Sequence, residues 1–460
     1  MNRIIKYALF AFAALSAGLL LLVGYVAITV DPNDYKPQIV RFVRDETNRD
    51  LKLEGKIGLK LFPRIGLNLG GTQLSGPGGK GEFASVDNVI LDLAWLPLLH
   101  GKMEIDRVDI DGLHAHFVRY QDGTTNYGDL TGGKGGKTEY DIGSIEVRNS
   151  SVSYEDDGTG RKTRLEKISL RTGRLGEGVH SDISIGFDMD DEGPAHFGFR
   201  SGLLIGPQSY RFDGIELKYE KGKFVLSASG NAEIEAAAQK ISADLASSFD
   251  ESHVQTKFSM SNFSSPSYRF DVGIDRLDAD RYLSSGAKKA EKPFDLSFLK
   301  KLDAQGRILI SSLKIHGLRI SDFKVGIKAA DARLDLDPLS AVLYQGKANG
   351  SASVTAASTP KFTLRQNLSG ISIGPLIRDM TKKDIIEGRG DVSADLSAKG
   401  SLFGELKKTL GGRVSLHLFD GSVRGIDIAA KLRGIKSRAG GIETGVATSS
   451  EKTDFSELSA

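Results

Sequence analysis

The sequence predicts a mainly β protein: an N-terminal transmembrane helix and a short amphipathic helix, followed by a long antiparallel β-sheet. Three observations carry that expectation. Apolar residues recur with period two over most of the chain beyond residue 50, the spacing of strands with one buried and one wet face. Glycine supplies 54 of 460 residues, well above the usual ~7%, so turns are many. Paired turn residues such as Asp157-Gly158, Asp213-Gly214, Lys221-Gly222 and Asp420-Gly421 punctuate the strands as hairpin signals, so neighbouring strands are expected to be antiparallel.

The first element is an uncharged run of 24 residues from Tyr7 to Val30, longer than a signal-peptide core and enough to cross ~30 Å of hydrocarbon. Leu20, Leu21 and Leu22 lie in its middle, with Tyr7 and Tyr25 spaced as interfacial aromatics. Arg3 and Lys6 precede it while Asp31 and Asp34 follow, so the positive-inside bias puts the N-terminus in the cytoplasm and the rest across the membrane. The chain has no cysteine, which excludes attachment as a lipoprotein and fits an oxidising compartment such as a bacterial periplasm. The expected location is therefore the bacterial inner membrane, single-pass, with the bulk of the chain in the periplasm.

After the anchor, Tyr35, Ile39, Phe42 and Val43 fall at helical spacing opposite Arg41, Arg44, Asp45 and Asn48. Strand patterns begin at Ile57 and Leu59. They are clearest where Ile183, Ile185, Phe187 and Met189 alternate with polar residues, and likewise Val254, Phe258 and Met260, then Phe270, Val272 and Ile274, then Val392 and Leu396. Between Leu299 and Gly350 the phase slips at Ser311-Ser312, Gly317 and Ser321-Asp322, displacing Phe323 and Val325 to odd positions and predicting bulges or tight turns. Two stretches mark expected boundaries, the Gly/Lys run 131–138, which has no apolar anchor, and the similar polar run 284–293. They divide the chain into 1–30, 31–130, 139–283 and 294–460.

Chemistry is hard to find. With 61 basic and 59 acidic residues there is no electrostatic case for nucleic acid. "GGKGGKT" lacks the first glycine of a phosphate-binding loop and reads as linker. His114 and His116 share one side of a strand, but no third ligand stands at metal-binding spacing. Paired carboxylates such as Asp188 and Asp190 read as solvated surface. Neither a catalytic site, a metal site nor a cofactor is expected, and the chain is not expected to be an enzyme.

The alternation alone says which faces are buried and not against what, and taken by itself it favours stacked β-sandwiches. A resemblance points elsewhere. The segments "DPNDYKPQIVRFVRDETNRDLKLEGKIGLKLFPRIGLNLGGTQLSG" and "FASVDNVILDLAWLPLLHGKMEIDRVDIDGLHAHFVRYQDGTTNYGDL" resemble the N-terminal domain of the AsmA family of bacterial envelope proteins. "ARLDLDPLSAVLYQGKANGSASV", "LSGISIGPLIRDM", "IEGRGDVSADLSAKG" and "LGGRVSLHLFDGSVRGIDIAAKLRGI" resemble its C-terminal region, and the stretch between matches only in being strand-rich. In that family the segment beginning like "TDFSELSA" runs on into further strands, so the resemblance implies a C-terminally truncated member. It also implies a curled, groove-like sheet, similar to bridge-like lipid transfer proteins, that binds phospholipid acyl chains and contributes to lipid transport to, and biogenesis of, the outer membrane. Expected lining residues are Ile183, Ile185, Phe187, Met189, Val254, Phe258, Met260, Phe270, Val272, Ile274, Phe323, Val325, Val392 and Leu396. Expected partners are membrane phospholipids, the inner membrane and outer-membrane or periplasmic proteins at the distal end. The alternative is a non-enzymatic scaffold for outer-membrane protein assembly that receives a strand at its sheet edge.

Overall fold

A computed structural model describes residues 31–60, 65–94, 105–131, 142–190, 193–283, 293–424 and 452–459. The expected anchor, with Tyr7, Leu20, Leu21, Leu22, Tyr25 and Val30, lies outside them, as does Trp95. Among the described residues no helix is long and apolar enough to cross a membrane. The chain divides into two compact units, Met1–Asn231 and Ala232–Ala460.

Unit 1 opens with a 3₁₀ turn, Pro32–Tyr35, capped by the Asp31 carboxylate, which accepts from the Asn33 N–H. The expected amphipathic helix follows as α1 (Lys36–Thr47), stopped by left-handed Asn48. Then come β1 (Leu51–Leu53), β2 (Ile57–Lys60), β3 (Ile65–Ser75), β4 (Glu82–Leu93), β5 (Ile105–Arg119), β6 (Ile145–Asp156), β7 (Arg161–Thr172), β8 (His180–Asp190), β9 (Pro194–Ile205) and β10 (Ser209–Lys221). β1 and β2 both pair with β3, and each strand from β3 to β9 pairs with the next. The division between units falls inside β11 (Phe224–Glu235).

Unit 2 contains β12 (Lys240–Phe249), β13 (Ser252–Ser261), β14 (Ser267–Asp278), β15 (Asp303–Ile315), β16 (Leu318–Ala330), β17 (Arg333–Leu343), β18 (Gly346–Thr355), β19 (Lys361–Ser372), β20 (Ile386–Lys399), β21 (Gly411–Arg424) and β22 (Lys452–Ser459). Helices α2 (Ile373–Thr381) and α3 (Phe403–Thr409) flank β20 in sequence.

The sheet is mixed rather than antiparallel throughout. β5 pairs with β6 in parallel, and β14 pairs with β15 in parallel. Each parallel pair brackets one of the two Gly/Lys-rich stretches, 131–138 and 284–293. A parallel step needs a crossover of a dozen or more residues where a hairpin needs two, so these stretches connect neighbouring strands of a sheet. The compact units divide elsewhere.

Two of the four expected hairpin turns are turns: Asp157-Gly158 lies between β6 and β7, and Lys221-Gly222 leads from the last residue of β10 into the turn before β11. The other two lie inside strands. Asp213-Gly214 interrupts β10, with Gly214 at φ 62°, and Asp420-Gly421 interrupts β21, with Asp420 at φ 49°. Both positions need a positive φ, which a bulge supplies as readily as a hairpin when the partner strand continues on both sides.

The phase slips are real. In β15 and β16 the register runs Ile310↔Phe323, Ser312↔Ser321, Leu313↔Ile320, so Ser311 and Asp322 (φ 49°) are skipped at the same level and the pairing is kept. β14 skips at that level too, since Ile274 pairs with Ile310 and Leu277 with Leu313. In β17 the extra residue is absorbed at Asp337-Pro338, between Leu336 and Leu339. Gly317 forms the tight turn between β15 and β16.

Candidate functional site

Following the register across each unit converts the alternation into surfaces. In unit 1 the file Ile57, Leu69, Val89, Ile110, Val147, Leu170, Ile185, Phe199, Leu217 crosses nine strands with one apolar residue from each. Unit 2 repeats this with Ile241, Met260, Tyr268, Ala304, Ala329, Leu334, Val354, Phe362 and Ala398. Eight strand spacings of ~4.8 Å make each file about 38 Å long. A second file in unit 2, from Ala243 through Phe258, Phe270, Gly306, Ile327, Leu336, Ala352 and Leu364 to Leu396, lies beside the first.

The expected lining residues fall on these faces. Ile183, Ile185, Phe187 and Met189 share the apolar face of β8, where the Phe187 and Phe197 rings stack with centroids 4.7 Å apart. Val254 pairs with Ile274, Phe258 with Phe270 and Met260 with Tyr268, while Val272 continues through Ile308 to Val325. Phe323 opposes Ile310, and Val392 and Leu396 oppose Leu368 and Leu364. The opposite face is charged: Arg307 Nε donates to Asp271 at 2.7 Å, and Lys257 lies 3.8 Å from Asp244.

Most of these apolar residues are only half-buried. Among the described residues only eighteen hydrophobic side chains are buried, and none in the second file is among them. A sandwich would seal such a face against another sheet at ~10 Å; among the described residues the middle of the sheet is left without that cover. Among the described residues of unit 2 it is closed towards the strand ends. At one end the turn Ser297–Lys300 seats Leu299, 1% exposed, on Ala304 and Ala329, with Tyr268, Leu296 and Leu334 around it. At the other, Leu376 and Ile377 of α2 pack over buried Ile371, Ile373 and Leu418. Between them opens a cavity of about 330 Å³ lined by Leu334, Leu336, Val354, Phe362, Leu364, Leu396 and Leu410, among others.

Unit 1 is closed at its first strands by a different device, which the sequence reading did not single out. Arg49, just after α1, is 0% exposed. Its Nε and Nη2 donate to the two Asp129 carboxylate oxygens at 2.9 and 2.6 Å, and the same guanidinium donates to the Asn126 carbonyl at 2.8 Å and the Ser75 carbonyl at 3.2 Å. Its plane lies 4.5 Å from the Phe83 ring centre. Asn126 in turn bridges the His116 carbonyl and the Val118 N–H. The Arg49 hydrogen bond holds the Asp129 carboxyl below the usual carboxylate range. A sequence signal did exist, in that "TNRD" carries polar residues where the helix pattern stops and "TNYGD" where a strand pattern stops.

His114 and His116 lie on the polar face. Their Nδ1 atoms bond Ser151 Oγ at 2.8 Å and Ser153 Oγ at 2.7 Å beside an open cavity of about 350 Å³ that Glu82 and Arg164 also line. Among the described residues no group of three or more acidic or histidine side chains is arranged to hold a metal ion. Asp188 pairs with Lys167 at 2.8 Å and His196 at 2.7 Å, and these partners lower its pKa.

What this arrangement can do is bind apolar matter along a face, with charge kept on the other side; it defines a sheet protein whose unsealed apolar surfaces are its distinguishing feature. The AsmA family profile matches residues 1–275 and 284–460, including the middle region, and the chain belongs to that family. Protein AsmA of Escherichia coli (strain K12) is 27% identical over 188 residues, covering 38% of this chain and 28% of that relative. The match therefore spans less than a third of the relative's length. No solved structure matches the chain.

Proposed function

We propose that this protein is held in the bacterial inner membrane by residues 1–30 and uses the unsealed apolar faces of its periplasmic sheet to hold phospholipid acyl chains, contributing to lipid transport to, and biogenesis of, the outer membrane. The observation that carries this reading is the run of nine-strand apolar files, above all the second file of unit 2, in which no hydrophobic side chain is fully buried among the described residues. An acyl chain laid on such a face gains about 0.8 kcal/mol per buried CH₂, while its head group stays wet. Family membership agrees with an envelope role. No energy source is implied: a passive face equilibrates lipid, and net movement needs a gradient or an energised partner.

The test is mass spectrometry of lipids retained by residues 31–460 purified from the periplasm without detergent. Several phospholipids per chain are expected, and the combined changes Ile185→Glu, Phe270→Glu and Leu396→Glu should remove most of them while circular dichroism stays that of a β protein. Unchanged lipid content in the folded triple variant would overturn the reading and leave the sheet-edge scaffold in its place.

A further inference from the structure

Helix α1 has an unpartnered side. Tyr35 and Phe42, two turns apart, are 51% and 67% exposed, and none of the helix's residues is fully buried. Large exposed aromatics in line on a helix are a docking surface when something holds them outward. Here both ends of the element are fixed. At its start, the Asn33 side chain donates to the Ile57 carbonyl at 3.2 Å and accepts from the Ile57 N–H at 2.8 Å, and Lys36 Nζ reaches the Gly55 carbonyl at 2.7 Å. Beyond its end, Arg49 is clamped by Asp129, Asn126 and Ser75. Thus α1 is prevented from rolling to bury Phe42 against the sheet.

The chain outside the structure says what covers it. The uncharged run ends at Val30, one residue before Asp31, and Pro32–Tyr35 is a 3₁₀ turn that rises ~2 Å per residue. Tyr35 therefore sits about 10 Å along the chain from the last residue of that run, a distance comparable with the ~5–8 Å polar layer on each side of a bilayer. Exposed Arg41 flanks the aromatic line and suits lipid phosphates, whereas exposed Asp45 and Glu46 in the last turn limit contact to the first two turns.

We infer that α1 lies in the interfacial layer of the bilayer that holds residues 7–30, with Tyr35 and Phe42 against lipid, and so seats the β1–β2 end of unit 1 on that membrane. The inference rests on the membrane tether proposed above. Its consequence for lipid handling is geometric: Ile57, which Asn33 grips, begins the nine-strand apolar file of unit 1, so the file starts at the membrane surface.

Because the native chain lacks cysteine, a single Phe42→Cys change in the full-length protein carries the only thiol label. Lys257→Cys, on the charged face of unit 2, serves as reference. Both are labelled with a polarity-sensitive fluorophore in vesicles of phosphatidylethanolamine and phosphatidylglycerol containing a fraction of spin-labelled lipid. Quenching at position 42 at least twofold that at 257, with a blue-shifted emission, is the expected result. Equal quenching in a chain that resists carbonate extraction overturns the inference and leaves the tether standing. A chain that carbonate releases overturns the tether and the inference together. As a second readout, Tyr35→Ser with Phe42→Ser should slow lipid pick-up from these vesicles severalfold while leaving the final lipid load unchanged; an unchanged rate removes the assignment of the file's starting point.

Discussion

The two units put the same surface together and close it differently. Each files nine apolar residues across nine strands, and each contains one parallel step. Unit 2 closes the strand ends with apolar plugs, Leu299 on Ala304 and Ala329 at one end and Ile371, Ile373 and Leu418 at the other. Unit 1 fastens α1 to its first strands with a buried guanidinium that holds four acceptor atoms, both carboxylate oxygens of Asp129 and the backbone carbonyls of Ser75 and Asn126. The difference teaches that an open sheet needs its ends fixed more than its middle filled. It also means that the two units should fail by different routes, one through charge and one through volume.

The largest effect is expected at the lock. Arg49→Met leaves the Ser75 and Asn126 carbonyls without their donor and Asp129, 34% exposed, without its partner, and should destabilise the first strands by about 3–5 kcal/mol, at roughly 1–3 kcal/mol for each acceptor left unsatisfied. Hydrogen exchange over residues 49–131 should accelerate while that of β15–β20 is unchanged. Leu299→Ala should do the converse, costing unit 2 about 2–5 kcal/mol through a cavity in a site that is 1% exposed. If either change loosened both units equally, the distinction between them would collapse.

An open-file residue should matter less. Phe270→Ala removes a ring that is only partly buried, so its effect on unfolding should fall below the ~3–5 kcal/mol of a fully buried phenylalanine, measurable by denaturant titration. Acid should separate the units as well. The Asp129 carboxyl has its pKa lowered in the folded state by Arg49, so its stabilising contribution is present above the unfolded value near ~3.9 and is lost as pH falls through the lower folded value. Exchange around residues 49–131 should therefore rise in a step below about pH 4, and Asp129→Asn should abolish that step. The smallest effect belongs to the histidine pair: His114→Ala with His116→Ala, on an exposed polar face, should shift stability by less than about 0.5 kcal/mol and leave lipid content unaltered.

Much of this was legible in the chain. The faces of β8, β13, β14 and β20 follow from alternation alone, and the slips at Ser311 and Asp322 were visible as a change of parity, because a strand that skips one residue must flip its apolar set to keep one face buried. What alternation lacks is direction. A strand reads the same whether its neighbour runs parallel or antiparallel, so the steps at β5–β6 and β14–β15 showed only as glycine- and lysine-rich connections and were assigned to boundaries. Asp213-Gly214 and Asp420-Gly421 were misplaced for a related reason, since a positive φ serves turn and bulge alike. The lock escaped altogether: its members come from positions 49, 75, 126 and 129, and no local period links an arginine to an aspartate eighty residues away.

The parallel steps also set an order of events. Hairpins such as β15–β16 and β17–β18 close over two-residue turns, within microseconds for isolated hairpins, whereas β14 meets β15 only after the chain from Asp278 to Asp303 has looped back. Each parallel joint is thus a late, non-local closure between blocks that assemble quickly by themselves. Until it closes, β14 and β15 each present an unpaired edge beside a largely uncovered apolar face, the combination most prone to aggregation. The interval before those two joints are made is the stage of folding at which aggregation is expected to compete most strongly.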